Sequence, residues 1–345
     1  MRSLPAIITI FFCAAAVFCA DAFCALAGFE KSANTVFAAE LKDSDNSGYG
    51  AAVEALFGAF EEVSGKKIEK GAKGKVGIKV YTNSGAGLAT PPSLVRAVIK
   101  RLEKSGYKKG DVCIVDMSKR RLRECGFLPK YTEAKMGVSE NFEGSPVIDI
   151  ESGEYFSADW YYDNPLMPRD LNYSAESPSE KTELEGRKSY LPVPLFLTVD
   201  FWINLPVLTD LPGIGVCGAL GNATIWNMSN NERFFQSPAN APIALAECAA
   251  IPELNSSMIF SVLALKRFQY VGANVFNARF CSGENLVLLS SDPVALDAVG
   301  LECLNAARVQ NGFPTIESPA IFKYARQLGL GESDLQKVKF RKVLK

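Results

Sequence analysis

The sequence predicts an α/β fold: an open, mostly parallel sheet with helices on both faces and an irregular insertion or lid. Three observations carry the prediction. Short apolar runs bounded by Gly, Pro and Asp alternate with segments of helical periodicity. Val76–Tyr81, Thr90–Lys104 and Asp111–Asp116 form a βαβ unit, which requires parallel strands and a right-handed crossover. The same alternation resumes after about residue 194.

The elements follow in order. Arg2, the uncharged run Leu4–Ala20 and the small-residue sites ending at Ala22 and Ala27 read as an export signal over residues 1–27. A retained anchor is the alternative, although the run is short for a membrane span. The expectation is an exported protein, periplasmic or extracellular, with no membrane span after cleavage. Residues 28–345 then read as a single α/β domain.

Val53, Leu56, Phe57 and Phe60 recur at helical spacing within 51–63, and a Lys/Gly-rich link over 66–75 leads into the strand at Val76. Thr90 suits the N-cap of the next helix and Pro91 its first position, with Leu94, Val95, Val98 and Leu102 turned inward. The segment at about 131–194 loses periodicity and gathers Pro, Ser, Glu and Trp160-Tyr161-Tyr162, as an insertion with one or two hairpins would. Beyond it the pattern predicts strands at 198–208, 257–265 and 285–290. Helices are predicted at 241–250, 292–308 and 318–328, and an edge strand at 338–343.

Composition excludes several functions. Lys and Arg number 37 against 38 Asp and Glu, a net charge of -1 that gives no electrostatic reason to expect nucleic acid. With no histidine, Ser-His-Asp and Cys-His catalysis and imidazole zinc sites are ruled out within the chain. Outside the signal lie Cys113, Cys125, Cys217, Cys248, Cys281 and Cys303, none in a Cys-x-x-Cys pair, so no intrinsic iron–sulfur cluster is encoded. Their apolar settings suit buried thiols, with one or two disulfides left open.

Ligands in open α/β sheets gather at the carboxyl ends of the strands. There the sequence places Lys79, Asn83 and the Gly85/Gly87 loop, then Asp116, then Asp210, each following a predicted strand. Asp116 and Asp210 are the candidate acid/base pair. Asp292, before Pro293, is either a helix N-cap or a ligand-facing carboxylate. Asp297 sits in an apolar run and needs a partner, whether an amide, a cationic side chain, a metal or a substrate. Asp292 and Asp297, with Asp116 and Asp210, could supply oxygen ligands to a divalent cation such as Mg²⁺ or Ca²⁺. Gly213-Ile-Gly215-Val-Cys-Gly218 matches G-x-G-x-x-G, but a Thr-Asp-Leu-Pro link parts it from the strand. Helix packing explains the glycines as well as a dinucleotide does, and loop N–H groups holding some other anion is a milder alternative.

Longer segments resemble the domain of unknown function 362 family. They are Thr90-Pro-Pro-Ser-Leu-Val-Arg, Ile203-Asn-Leu-Pro-Val-Leu, Gly218-Ala-Leu-Gly-Asn222, Asn227-Met-Ser-Asn230, Arg233-Phe and Ser291-Asp-Pro-Val-Ala-Leu-Asp. The resemblance spans roughly Lys75 to Leu330. It implies an α/β domain related to proteins found beside iron–sulfur modules, with Asn222, Asn227, Arg233 and Gly215 joining Lys79 and Asn83 as ligand-binding candidates. Two departures matter: Thr209-Asp210-Leu211 stands where similar chains carry Lys-Asp-His, and Leu220-Gly221-Asn222 where they carry Leu-Lys-Asn. Losing a His and two Lys from one cluster favours a domain that binds a small molecule or protein partner. A carboxylate-dependent enzyme, or a redox accessory to an iron–sulfur partner, is the alternative.

Overall fold

The computed structural model describes residues 34–42, 48–167, 185–272 and 274–344. The expected export signal lies outside the described residues, among which no helix is long and apolar enough to cross a membrane.

The described residues form fifteen strands. The first seven are β1 (Thr35–Glu40), β2 (Val76–Lys79), β3 (Val112–Asp116), β4 (Asn141–Phe142), β5 (Ser145–Asp149), β6 (Phe156–Asp163) and β7 (Lys188–Pro192). The rest are β8 (Phe201–Asn204), β9 (Thr209–Leu211), β10 (Gly215–Cys217), β11 (Met258–Ala264), β12 (Phe268–Gln269), β13 (Cys281–Ser282), β14 (Leu286–Ser290) and β15 (Lys339–Leu344). Nine of them make the main sheet, in the order β15-β1-β14-β11-β8-β2-β3-β5-β4. Its centre, β5-β3-β2-β8-β11, is parallel throughout. Antiparallel pairing appears only towards the two edges, at β4 with β5 and around β14. The α/β prediction therefore holds.

Eleven α-helices are described: α1 (Tyr49–Ser64), α2 (Pro92–Lys104), α3 (Lys119–Glu124), α4 (Tyr131–Lys135), α5 (Val193–Phe196) and α6 (Ala219–Ala223), then α7 (Glu232–Phe235), α8 (Ala241–Ala249), α9 (Pro252–Ser257), α10 (Pro293–Gln310) and α11 (Ala320–Gln327). Strand alternation divides the core in two. Ile78, Ile114, Ile203 and Val262 pack against α1 and α2 through Leu56, Phe60, Val95 and Leu102. Val115, Trp202, Leu263 and Leu288 pack against α6, α8 and α10 through Leu220, Leu245, Leu296 and Leu304.

From β2 the chain steps to β3 and β5, with α2 and α3 on the first face. From β8 it steps the other way to β11, with α6 and α8 on the second face. Opposite directions over opposite faces keep one crossover hand. The strand order therefore reverses between β2 and β8, the position at which doubly wound sheets form their ligand crevice.

Some expectations need correction. Thr90 does not cap α2: its hydroxyl accepts from Tyr81 N (2.8 Å) and donates to Leu205 O (2.7 Å), tying the loop after β2 to the end of β8, and the helix starts at Pro92. The strand predicted at 198–208 is only β8, because Pro206 has no N–H for the ladder. Asp210 therefore does not follow a main-sheet strand. It lies in β9, part of a separate four-stranded sheet β10-β9-β12-β13. The aperiodic insertion carries the β6–β7 hairpin, and its β5 joins the main sheet. All six described cysteines are free thiols.

Candidate functional site at the strand-order reversal

Where β2 and β8 end, one row of polar side chains crosses the sheet. Lys79 is in register with Asn204, and Asn204 with Ser261 of β11, so all three face α6. Each is 0% exposed. Polar groups this deep require partners, and here they partner one another.

The Lys79 ammonium donates to Val80 O and Asp116 Oδ1, each at 2.7 Å, and to Asn222 Oδ1 at 3.2 Å. Three acceptors match the three protons of the charged form. Burial pulls the Lys79 amine below its ordinary value, opposed by the charge and hydrogen bond of Asp116. The second Asp116 oxygen accepts from Thr82 Oγ1 at 2.5 Å. Asn222 Nδ2 donates to Asn204 Oδ1 (2.7 Å), and Asn204 Nδ2 donates to Ala219 O (2.9 Å) and Ser261 Oγ (3.0 Å). The chain Thr82–Asp116–Lys79–Asn222–Asn204–Ser261 thus joins β3, β2, α6, β8 and β11 in one closed polar knot.

Asp297 of α10 holds α6 in place. Its two oxygens accept from Ala219 N (2.5 Å) and Leu220 N (3.0 Å), the free donors of the first turn. Burial raises this carboxyl to about 7 against those hydrogen bonds. A Cβ at Gly218 would fall 2.3 Å from Asp297 Oδ1, so the approach requires glycine. The G-x-G-x-x-G run is explained by packing: Gly215 has φ +100 and would strike Pro319 with any side chain. The anion at this helix start is the chain's own Asp297.

The remaining candidates lie apart. Asp292 caps α10 through Ala295 N (2.8 Å) and takes Glu332 N on its other oxygen (2.9 Å). Burial raises its carboxyl, opposed by these N–H groups. Asp210 is buried and faces Arg308 at 3.5 Å. The four aspartates therefore do not converge. Among the described residues, no group of three or more Cys, Asp or Glu side chains is placed to hold a metal ion.

Asn83 is half-buried in the loop after β2, its side chain reaching the Tyr81 hydroxyl. Asn227 donates to Ala223 O (3.2 Å), and its Oδ1 has no partner. Arg233 is fully buried away from Lys79, under the β6–β7 hairpin. It donates to Ser189 Oγ (3.1 Å) and Tyr162 O (3.2 Å), lies against the Tyr162 and Phe234 rings, and leaves Nη1 unpartnered.

Sequence reasoning missed Asn204, Thr82 and Ser261. Asn204 had a signal, as a lone amide between an apolar strand and Leu205-Pro206. Ser261 is one small polar residue in the run Ile259–Leu265 and had none.

Over the knot, the Tyr81 hydroxyl meets Ser84 Oγ (2.6 Å), and Ser84 Oγ donates to Asn274 O (2.8 Å). Arg267 donates to Gly87 O (3.0 Å), so the segment around β12 and β13 roofs the loop. The Tyr81 and Trp226 rings meet edge to face at 6.0 Å, and Trp226 donates to Cys217 Sγ (3.2 Å). Burial pushes that thiol up to about 12, so it is no nucleophile near neutrality.

The chain matches no known protein-family model, no curated protein and no solved structure.

Proposed function

We propose that the chain is an exported ligand- or partner-binding α/β domain whose polar site lies at the carboxyl edge of the sheet and does no acid–base chemistry. One observation carries the reading: every proton of Lys79 and both oxygens of Asp116 are engaged by neighbours within the fold. A general acid or base needs a free position within reach of its substrate. Asp297, raised towards neutrality, has both oxygens occupied by backbone N–H groups, and Asp210 is committed to Arg308.

Binding fits this arrangement better than turnover. The Asn222 contact is the longest on the ammonium, and it is made from a five-residue helix. A ligand oxygen replaces it when the roof over Ser84 and Gly87 lifts. The test is native mass spectrometry of residues Gly28–Lys345 against the denatured mass. A small molecule lost on denaturation, and absent from the Lys79→Met/Asp116→Leu double variant, supports the reading. Turnover that depends on Asp116 or Asp210 overturns it.

A further inference from the structure

A second concavity lies at the opposite edge of the sheet. It encloses about 500 Å³ where the amino halves of β2, β3 and β5 meet the start of β6 and α5. That is within the size range of small-molecule pockets. Cys113 and Ile148 line it from the sheet, and Phe156, Val193 and Val199 from the elements packed above. None of these belongs to the polar knot around Lys79.

The polar groups of the cleft are unevenly committed. Asp111 is neutralised by Lys70 at 2.6 Å. Glu154, at the rim, forms no ion pair among the described residues, and neither does Asp149, which closes β5 beside Tyr155. The Tyr155 hydroxyl has no hydrogen-bond partner among the described residues. Burial raises its pKa first, and the charges of Glu154 and Asp149 raise it further, so both carboxylates act at the phenol. Lys75 is the one cation in the lining, against these two free carboxylates.

We infer that this cleft binds an organic cation with a flat apolar body. The body lies between Phe156, Val193 and Ile148, and the ammonium sits at Tyr155 with Glu154 and Asp149. The ring face and carboxylates favour a positive charge together, whereas an anion meets Lys75 alone. This site is independent of the carboxyl-edge reading, since the Lys79/Asp116 double variant touches none of its lining residues.

The test uses a matched pair with one body and opposite charges. Tryptamine and indole-3-acetate are titrated into the chain by calorimetry. Tryptamine is expected to bind about tenfold more tightly, a difference that Glu154→Gln reduces. Val193→Trp, which fills the cleft, is expected to abolish binding. If that variant does not fold, Phe156→Ala serves instead, together with protection of Cys113 from iodoacetamide read by peptide mass spectrometry. Equal binding of the two probes, tighter binding of the acetate, binding that survives Val193→Trp, or no binding of either overturns the assignment.

Discussion

Replacing Lys79 by Met is expected to cost more than any other single change at the carboxyl edge. The substitution keeps most of the apolar stem and removes the ammonium. Asp116 then keeps only the Thr82 hydroxyl, at 2% exposure, and Asn222 Oδ1 loses its donor. Breaking a buried ion pair from one side costs about 3–5 kcal/mol, because the surviving charge is stranded. Asp116→Leu strands Lys79 in the same way and is expected to cost about as much. The double variant removes both charges, so its cost should fall short of the sum by about 2–3 kcal/mol. Urea unfolding followed by circular dichroism reads this directly. With a slope of about 3 kcal/mol/M, each single variant lowers the midpoint by about 1–2 M. Two results would refute the reasoning: single variants within about 0.3 M of wild type, or a double variant whose cost equals the sum.

Other expectations follow from the same geometry. Asp297 has a folded pKa of about 7 against an ordinary 3.8. Below the lower value both states are protonated and the group contributes nothing; above the upper value its ionised burial costs about 4 kcal/mol. Melting temperature should therefore fall between about pH 4 and pH 7 relative to Asp297→Asn, and parallel curves would contradict the burial argument. Gly218→Ala should destabilise by about 1–3 kcal/mol by pushing into Asp297 Oδ1, and an unchanged melting point would show that α6 gives way easily. Arg233 is buried with no carboxylate partner among the described residues, so Arg233→Met should stay within about 1 kcal/mol of wild type while Arg233→Lys costs more. A loss above about 3 kcal/mol in the Met variant would instead show that Arg233 is paired in solution.

The parallel core was legible because its strands are short apolar runs closed by turn residues, and β3, β11 and β14 came within one or two residues of expectation. β1 was missed: Thr35-Val-Phe-Ala-Ala-Glu has no alternation, because both its faces are buried, and a six-residue run cannot be told from a helix fragment. Thr90 was misread for a different reason. Its neighbours Pro91 and Pro92 start a helix whether or not Thr90 caps it, and the hydroxyl was taken by β8, 115 residues away in sequence. The site was half-legible. Lys79 and Asp116 end predicted strands, so their neighbourhood could be anticipated. Asp210 drew attention that belonged to Asn204, because the end of β8 depends on Pro206 and not on apolar content. The capture of α6 by Asp297 is a contact between residues 77 and 78 positions apart, which no local pattern encodes.

The polar row across β2, β8 and β11 also bears on how the sheet assembles. Most of these strands are apolar on both faces, so hydrophobicity alone gives them little to choose between neighbouring alignments. A slip of one residue would turn Lys79 or Asn204 towards Phe60 and Val95, where no acceptor waits. Misaligned sheets are thus penalised by stranded amide and ammonium groups, while the native alignment alone satisfies them. In a chain whose central pairings span more than a hundred residues, such as β2 with β8, the knot acts as a proofreading device during folding.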